Sequence, residues 1–430
     1  MSDSWGTTRL RFLLNAPLTY GATESGSEFD AELPRYIRIT DIRTDGSLEP
    51  NNAVSLSRIV AEPYLLNDKD VLLARSGATV GKAFLYRANG GDACFAGYLI
   101  RARCEQRKVL PEYLAYFLQS ADYWSFINGN ALQATIQNVS AEIYKEVPVT
   151  HPSVEGQAVV VAYLNQGTEK IDRLILMRRR QMALLKEQRA ALIQQAVTRG
   201  LNPNAPIKDS GLPWLGEVPA HWEVKEIRYL VPQNRQVMYG IVLPGPNVDE
   251  GVPIVKAGNC EPGRLSVECM HRTTFEIEAG YVRSRLKAGD IVYAIRGSFG
   301  EAEIVPPELE GANLTQDAAR IAPKPGINNR WLWYAVRSQA FFAQMDSVAV
   351  GATIRGVNIR DLKRGKLAVP PISEQKQIAD FIDSESTRFD AIHAAYARQL
   401  TLLAEYRAAL IHECVTGQRR VGEDLTLERL

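Results

Sequence analysis

The sequence has no apolar run long enough to cross a bilayer; its longest central one, Val159 to Leu164, falls far short of the roughly 20 residues required. Cysteine is scarce: the five residues Cys94, Cys104, Cys260, Cys269 and Cys414 are odd in number and show no Cys-x-x-Cys spacing, so neither a disulfide framework nor a zinc site is suggested. The five histidines (His151, His221, His271, His393, His412) have no metal-ligand spacing, and no metal site is expected. Pro-Asp, which opens one common nuclease motif, does not occur, and neither does an Asn-Pro-Pro-Tyr-like motif or a glycine-rich S-adenosylmethionine loop. The opening Met1-Ser2-Asp3-Ser4-Trp5 has no basic flank leading into an apolar segment, so no secretory signal is visible. The expectation is a chain of the reducing cytoplasm, not associated with a membrane. A net charge of +1 without any polybasic tract excludes indiscriminate coating of nucleic acid.

What is present is an internal repeat. Glu187-Gln-Arg-Ala-Ala-Leu-Ile and Val197-Thr198 recur as Glu405-Tyr-Arg-Ala-Ala-Leu-Ile and Val415-Thr416, an offset of 218. The same offset aligns Ala134-Thr-Ile-Gln-Asn-Val with Ala352-Thr-Ile-Arg-Gly-Val, and Ile171-Asp172 with Phe389-Asp390. With small gaps it reaches Asp70-Val-Leu-Leu-Ala against Asp290-Ile-Val-Tyr-Ala, and Arg11-Phe-Leu-Leu against Arg228-Tyr-Leu-Val. One module is written twice.

Each copy begins with short β-branched and aromatic runs, such as Tyr36-Ile-Arg-Ile-Thr, punctuated by Gly, Asn and Pro, which predicts a strand-rich α+β region. A short helix follows, Pro111-Glu-Tyr-Leu-Ala-Tyr-Phe-Leu in one copy and Asn329-Arg-Trp-Leu-Trp-Tyr-Ala-Val in the other. Val147-Pro148 and Val369-Pro370-Pro371 then break the chain ahead of two proline-free segments of about 44 residues, each roughly 65 Å long as a helix. Heptad spacing selects Leu164, Ile171, Ile175, Met182, Leu185 and Leu192 in the first, and Ile382, Phe389, Tyr396, Leu400, Leu403 and Leu410 in the second, with His393 on the alternate seam. Gly156 and Gly167 predict irregularity near the start of the first helix. The expected order is a strand-rich domain over 1–152, a long helix over 153–200, a second such domain over 201–371, a long helix over 372–420 and a tail over 421–430. The two helices are expected to pair as an antiparallel coiled coil with an approximate two-fold axis.

Several segments resemble the specificity subunit of type I restriction-modification systems. They are Asp209-Ser-Gly-Leu-Pro-Trp-Leu-Gly-Glu-Val-Pro-Ala-His-Trp-Glu-Val-Lys, Pro371-Ile-Ser-Glu-Gln-Lys-Gln-Ile-Ala-Asp-Phe-Ile, and the turns Ala74-Arg-Ser-Gly-Ala-Thr-Val-Gly-Lys and Ile295-Arg-Gly-Ser-Phe-Gly. The first copy lacks the Trp-Leu-Gly opening. The resemblance implies a non-catalytic reader of double-stranded DNA, with one domain for each half of a bipartite site. It also implies docking of two methyltransferase (modification) subunits and of motor/endonuclease (restriction) subunits, with S-adenosylmethionine, ATP and magnesium held by those partners and no cofactor in this chain. Two other readings stand beside it. One is a scaffold that assembles proteins without touching DNA, favoured by the near-zero charge. The other is a self-sufficient nuclease or methyltransferase, which the missing motifs disfavour.

Base-edge reading needs hydrogen-bonding side chains on exposed turns. The first candidate loop holds Arg75, Ser76, Thr79 and Lys82, answered by Arg296 and Ser298. The second holds Gln133, Thr135, Gln137 and Asn138, answered by Thr353, Arg355 and Asn358. A third set is Tyr36, Arg38 and Thr40, with Lys256 and Asn259. Pairs that differ between copies (Lys82/Glu301, Gln137/Arg355, Asn138/Gly356) are the better specificity candidates, because the halves should read different bases. The run Gly77-Ala-Thr-Val-Gly-Lys-Ala is one residue short of a P-loop and has no hydroxyl after Lys82. If the long helices act as rulers, four residues inserted into one of them add roughly 6 Å, close to two base-pair steps of about 3.4 Å. Mapping methylated adenines for such a variant is expected to show a longer unspecific gap between unchanged half-sites; an unchanged gap would refute the ruler.

Overall fold

The computed structural model describes residues 5–421 apart from 44–47, 50, 89–90, 132–137 and 352–354. Two compact units emerge: residues 1–179 with 397–430, and residues 180–396. In the first, an antiparallel sheet has the order Thr19–Tyr20, Leu99–Ala102, Val71–Ala74, Ala83–Leu85. In the second, Met238–Tyr239, Ala318–Ile321, Ile291–Ala294 and Ala302–Ile304 take the same order. A second sheet accompanies each, ending in a parallel pair: Arg35–Ile37 with Ala93–Phe95, and Val252–Val255 with Asn313–Leu314. A two-stranded ribbon completes each unit, Gly6–Arg9 with Pro148–His151 and Glu223–Glu226 with Lys366–Val369. The expected α+β class is what the chain adopts.

The central strands show why these runs read as unbroken apolar sequence. Every residue of Val71–Ala74 and of Ile291–Ala294 is buried. Val71 and Leu73 face one core while Leu72 and Ala74 face another; Ile291 and Tyr293, then Val292 and Ala294, divide in the same way. The two-residue period of a strand is present, but both faces are dry. A buried aspartate precedes each strand. Asp70 accepts from the Asn67 N–H at 2.9 Å and from Arg103 Nε at 3.0 Å. Asp290 accepts from the Lys287 N–H at 2.7 Å and from Arg235 Nη2 at 2.6 Å. Gly21 and Gly240 allow a close backbone crossing in each unit: a Cβ there would lie 2.2 Å from the Phe95 carbonyl oxygen and 2.0 Å from that of Leu314.

The long helices run Val154–Arg199 and Ile372–Val415. The first is unbroken, against the expected irregularity: Gly167 is a packing device, since a Cβ there would stand 2.9 Å from Leu410 Cδ2. Val147-Pro148 also differs from expectation, because Pro148 opens the strand Pro148–His151 and Pro152 lies two residues ahead of the helix. Inside each unit, segments of the two helices pack antiparallel. In the first unit Arg407 Nε donates to Asp172 at 2.9 Å, and in the second Arg189 Nη1 donates to Asp390 at 2.7 Å. These are the same two repeat positions with their roles exchanged. Such exposed pairs contribute about 0.2–1 kcal/mol each, so they mark register more than they hold it. The holding is apolar. Leu164, Ile171 and Leu410 are buried in the first unit and Ile382 in the second, whereas Ile175, Met182, Leu185, Leu192, Phe389, Tyr396, Leu400 and Leu403 are half-buried and His393 is exposed. The seam is dry only where a globular part covers it.

One buried side chain anchors the start of each long helix. Gln157 accepts from the Leu110 N–H at 2.8 Å and donates to the Lys108 carbonyl at 3.0 Å. Gln375, at the same repeat position, accepts from the Asn328 N–H at 2.8 Å and donates to the Pro370 carbonyl at 2.8 Å.

The second unit also holds Glu278, buried and accepting from Arg285 Nε at 2.6 Å and Asn313 Nδ2 at 3.0 Å. The Arg285 guanidinium, with Asn313 assisting, keeps this carboxyl below the usual carboxylate range against the opposing effect of burial. Its stabilisation is therefore complete above the ordinary glutamate range and is lost as pH falls through the lowered value. Glu278→Gln is expected to cost about 1.5–3 kcal/mol near neutrality and to flatten the acid limb of the stability–pH curve measured by urea unfolding. Equal acid sensitivity in variant and parent would contradict this assignment.

Candidate nucleic-acid interface

The first candidate turn, residues 75–82, joins the antiparallel strands Val71–Ala74 and Ala83–Leu85, and its counterpart joins Ile291–Ala294 to Ala302–Ile304. A P-loop requires a strand leading into a helix; here Gly77–Thr79 is a single 3-10 turn inside a hairpin. Gly77 and Gly81 have φ of 79° and 83°, and Gly297 and Gly300 have 72° and 90°, the left-handed region that favours glycine. Helices pin the far side of each turn. A Cβ on Gly81 would lie 2.7 Å from the Trp124 ring, and one on Gly300 would lie 2.7 Å from that of Phe342. Tyr144 Oη donates to the Ala74 carbonyl at 2.6 Å and Tyr123 Oη to that of Gly81 at 2.5 Å. Burial raises both phenols, Tyr144 to about 12 and Tyr123 far above its usual value, so both remain neutral donors.

Two further segments close on this turn. Ser76 is bridged to Asn138 and Arg296 to Gly356, and the N–H groups of Val139 and Val357 donate to the carbonyls of Arg75 (2.8 Å) and Ile295 (2.9 Å). The N–H of Arg75 donates to the Tyr98 carbonyl at 3.0 Å, and that of Arg296 to the Asp317 carbonyl at 3.3 Å. The first two candidate loops, distant in sequence, are thus adjacent in both units. In the second unit the third set joins them: Ala257, next to Lys256, lines one open cavity of about 540 Å³ with Arg296, Asp317, Gly356 and Asn358. Gln133, Thr135, Gln137 and Thr353 lie outside the described residues.

This arrangement has relatives. A family model for the type I restriction modification DNA specificity domain matches residues 249–401. The chain is 22% identical to the EcoBI specificity subunit of Escherichia coli, over 97% of this chain and 86% of that one. It is also 22% identical to the MjaVIII specificity subunit of Methanocaldococcus jannaschii, over 85% and 82%. A solved chain from work on assembly and conformational transition of the type I R-M system superposes with a TM-score of 0.71 at 15% identity, covering 97% of this chain and 99% of that one. The HsdS subunit of Thermoanaerobacter tengcongensis does so with a TM-score of 0.55, at 15% identity over 97% and 98%. The chain is thus similar to type I specificity subunits over nearly its whole length. These are the non-catalytic components of their systems.

For a candidate DNA-reading edge, the useful distinction is between side chains spent on the fold and side chains left over. Several candidates are spent. Asn358 caps the helix Ile359–Arg364, accepting from the Asp361 N–H at 2.9 Å; Ser140 does the same for Ala141–Lys145 at the equivalent position. Asn259 accepts from the Lys256 N–H at 2.9 Å, closing a turn. Arg38 donates to buried Asp41 at 2.9 Å and to the Asn52 carbonyl at 2.7 Å, and the first of these raises its pKa. Tyr36 is buried and donates to the Ala22 carbonyl at 2.8 Å, so it cannot reach a base; Thr40, by contrast, is exposed. Ser298 donates to Glu261 at 3.0 Å, and Arg355 pairs with Asp346 at 2.7 Å.

Two others are uncommitted. The side chains of Lys82 and Arg296 are exposed, with no hydrogen-bond or ion-pair partner among the described residues. Arg75 stacks over the Tyr20 ring at 4.7 Å and approaches Asn138 Oδ1 at 3.5 Å, while Ser76, Thr79 and Lys256 are half-buried. Sequence reading missed Tyr98 and Asp317, because only the folded backbone sets them beside the arginines. Among the described residues no group of three or more His, Cys, Asp or Glu is placed to hold a metal ion, and no helix is long and apolar enough to cross a membrane.

This sorting predicts opposite phenotypes for two neighbours. Asn358→Ala is expected to lower stability by about 1 kcal/mol through loss of its cap. Arg296→Ala is expected to change stability by less than about 0.5 kcal/mol while weakening DNA binding. Thermal unfolding and DNA titration of both variants check this; a destabilised Arg296→Ala would contradict it.

Proposed function

We propose that this chain reads a two-part DNA sequence, one part by each unit, and carries two methyltransferase subunits to it, with motor/endonuclease subunits joining for cleavage. One observation carries the reading: both units build the same three-segment edge on the same backbone but furnish it differently, with Ser76 and Asn138 in one and Arg296 and Gly356 in the other. A scaffold that never touched DNA would have no use for exposed Lys82 and Arg296 on this repeated edge, neither with an ion-pair partner among the described residues. S-adenosylmethionine, ATP and magnesium belong to the partner subunits in this reading, and the complex acts in the cytoplasm. Near-neutral overall charge fits a subunit whose partners supply much of the phosphate contact.

The test is to purify the chain with its methyltransferase partner, supply S-adenosylmethionine and map methylated adenines on plasmid DNA. Two short specified sequences separated by a fixed unspecified gap are expected. A single continuous site, or the same pattern without this chain, would overturn the proposal. A salt-dependent, sequence-selective shift of duplex DNA by the complex separates this reading from the scaffold.

A further inference from the structure

We propose that Tyr98 and Asp317 occupy one structural position in the two units and that each reads one base pair of its unit's half-site. The inference rests on the DNA-reading function proposed above. Both residues immediately precede matching strands, Leu99–Ala102 and Ala318–Ile321. Their main chains do the same work. The Tyr98 carbonyl accepts the Arg75 N–H at 3.0 Å, and the Asp317 carbonyl accepts the N–H groups of Ile295 (2.9 Å) and Arg296 (3.3 Å). The preceding N–H groups also match, Gly97 donating to the Ala22 carbonyl and Gln316 to that of Ile241. Backbone hydrogen bonds therefore fix the position, and the side chain is free to vary.

It does vary, and nothing in the fold uses it. Tyr98 is 64% exposed. Asp317 lines the cavity with Arg296. Neither side chain makes a hydrogen bond, ion pair or ring contact among the described residues. A carboxylate on an edge that meets a polyanion is unfavourable for general DNA affinity, since like charges repel across it. It gains a purpose if it accepts a hydrogen bond from an exocyclic amino group in the major groove, cytosine N4 or adenine N6. Arg296, beside it, has the donors for guanine O6 and N7. Tyr98 presents an apolar ring edge, which suits contact with a thymine methyl group. One position thus asks for an amino group in one half-site and for an apolar contact in the other.

The experiment uses the complex of the full chain with its methyltransferase partner and duplexes in which each pair of the mapped site is varied in turn. The parent is expected to lose on the order of tenfold in affinity when the amino-bearing base at one pair of the second unit's half-site is replaced; whether cytosine or adenine is preferred there identifies the donor. Asp317→Ala is expected to reduce that penalty to less than about threefold at that pair alone, and to bind unrelated DNA no more weakly than the parent. Tyr98→Ala is expected to change one pair of the other half-site only. Asp317→Asn, of equal size, covers the case in which the alanine variant fails to fold, and it alters preference at the same pair. A base-by-base profile unchanged in these variants, or weakened equally at every pair, overturns the inference. A parent complex that discriminates at no pair overturns instead the DNA-reading function on which the inference depends.

Discussion

Each unit's core is completed by both long helices, and the rest of the structure depends on that constraint. In the first unit Leu164 and Ile171 share a buried cluster with Leu410, Ile411, Cys414 and Val415; in the second Ala196 and Val197 share one with Ile378, Ala379 and Ile382. A fully buried aliphatic side chain contributes about 1.5–3 kcal/mol, far more than the exposed Arg407–Asp172 and Arg189–Asp390 pairs. Apolar burial therefore holds the helices, and the ion pairs report the register in which they are held. Tyr113 adds a polar tie, its Oη donating to the Val415 carbonyl at 2.9 Å inside this cluster. The first unit is therefore built from two separate stretches of chain, 1–179 and 397–430.

In the proposed function, one backbone carries two specificities. The strands Val71–Ala74 and Ile291–Ala294 are buried on both faces and cannot vary freely. Their turns are fixed by left-handed glycines, by a carbonyl that accepts the N–H of Val139 or Val357, and by N–H groups that donate to the carbonyl of Tyr98 or Asp317. Once the main chain satisfies these requirements, some side chains on and beside the turns carry no folding duty. Arg296, Lys82, Tyr98 and Asp317 are in that position, whereas Asn358, Asn259 and Arg38 are not. Gly356 shows how tightly the edge is drawn: a Cβ there would lie 2.6 Å from Arg296 Cγ, while the first unit accommodates Asn138 at the matching bridge.

Much of the fold was legible because it is periodic or repeated. Heptad spacing located both long helices nearly to their ends, and the offset of 218 paired Asp172 with Asp390 before any contact was known. Elements that depend on distant partners were not legible. Nothing in the sequence singles out Gln157 and Gln375, yet both are buried, because the loops they staple come from 108–110 and 328. Gly167 read as a defect because its partner, Leu410, belongs to the other helix. Asn358 read as a base reader because a cap and a groove contact demand the same side-chain chemistry, and only the following helix distinguishes them. Tyr98 and Asp317 escaped notice because they share no residue identity; a shared backbone hydrogen bond makes them equivalent.

The central claim is that three chain segments in each unit form one DNA-reading edge. Hydrogen–deuterium exchange of the subunit–methyltransferase complex, with and without its target duplex, measures this directly. Added protection is expected to concentrate on 75–82, 96–98 and 138–140 in the first unit, and on 295–301, 315–317 and 355–358 in the second. Protection confined to the long helices, or spread over one unit only, would contradict the account.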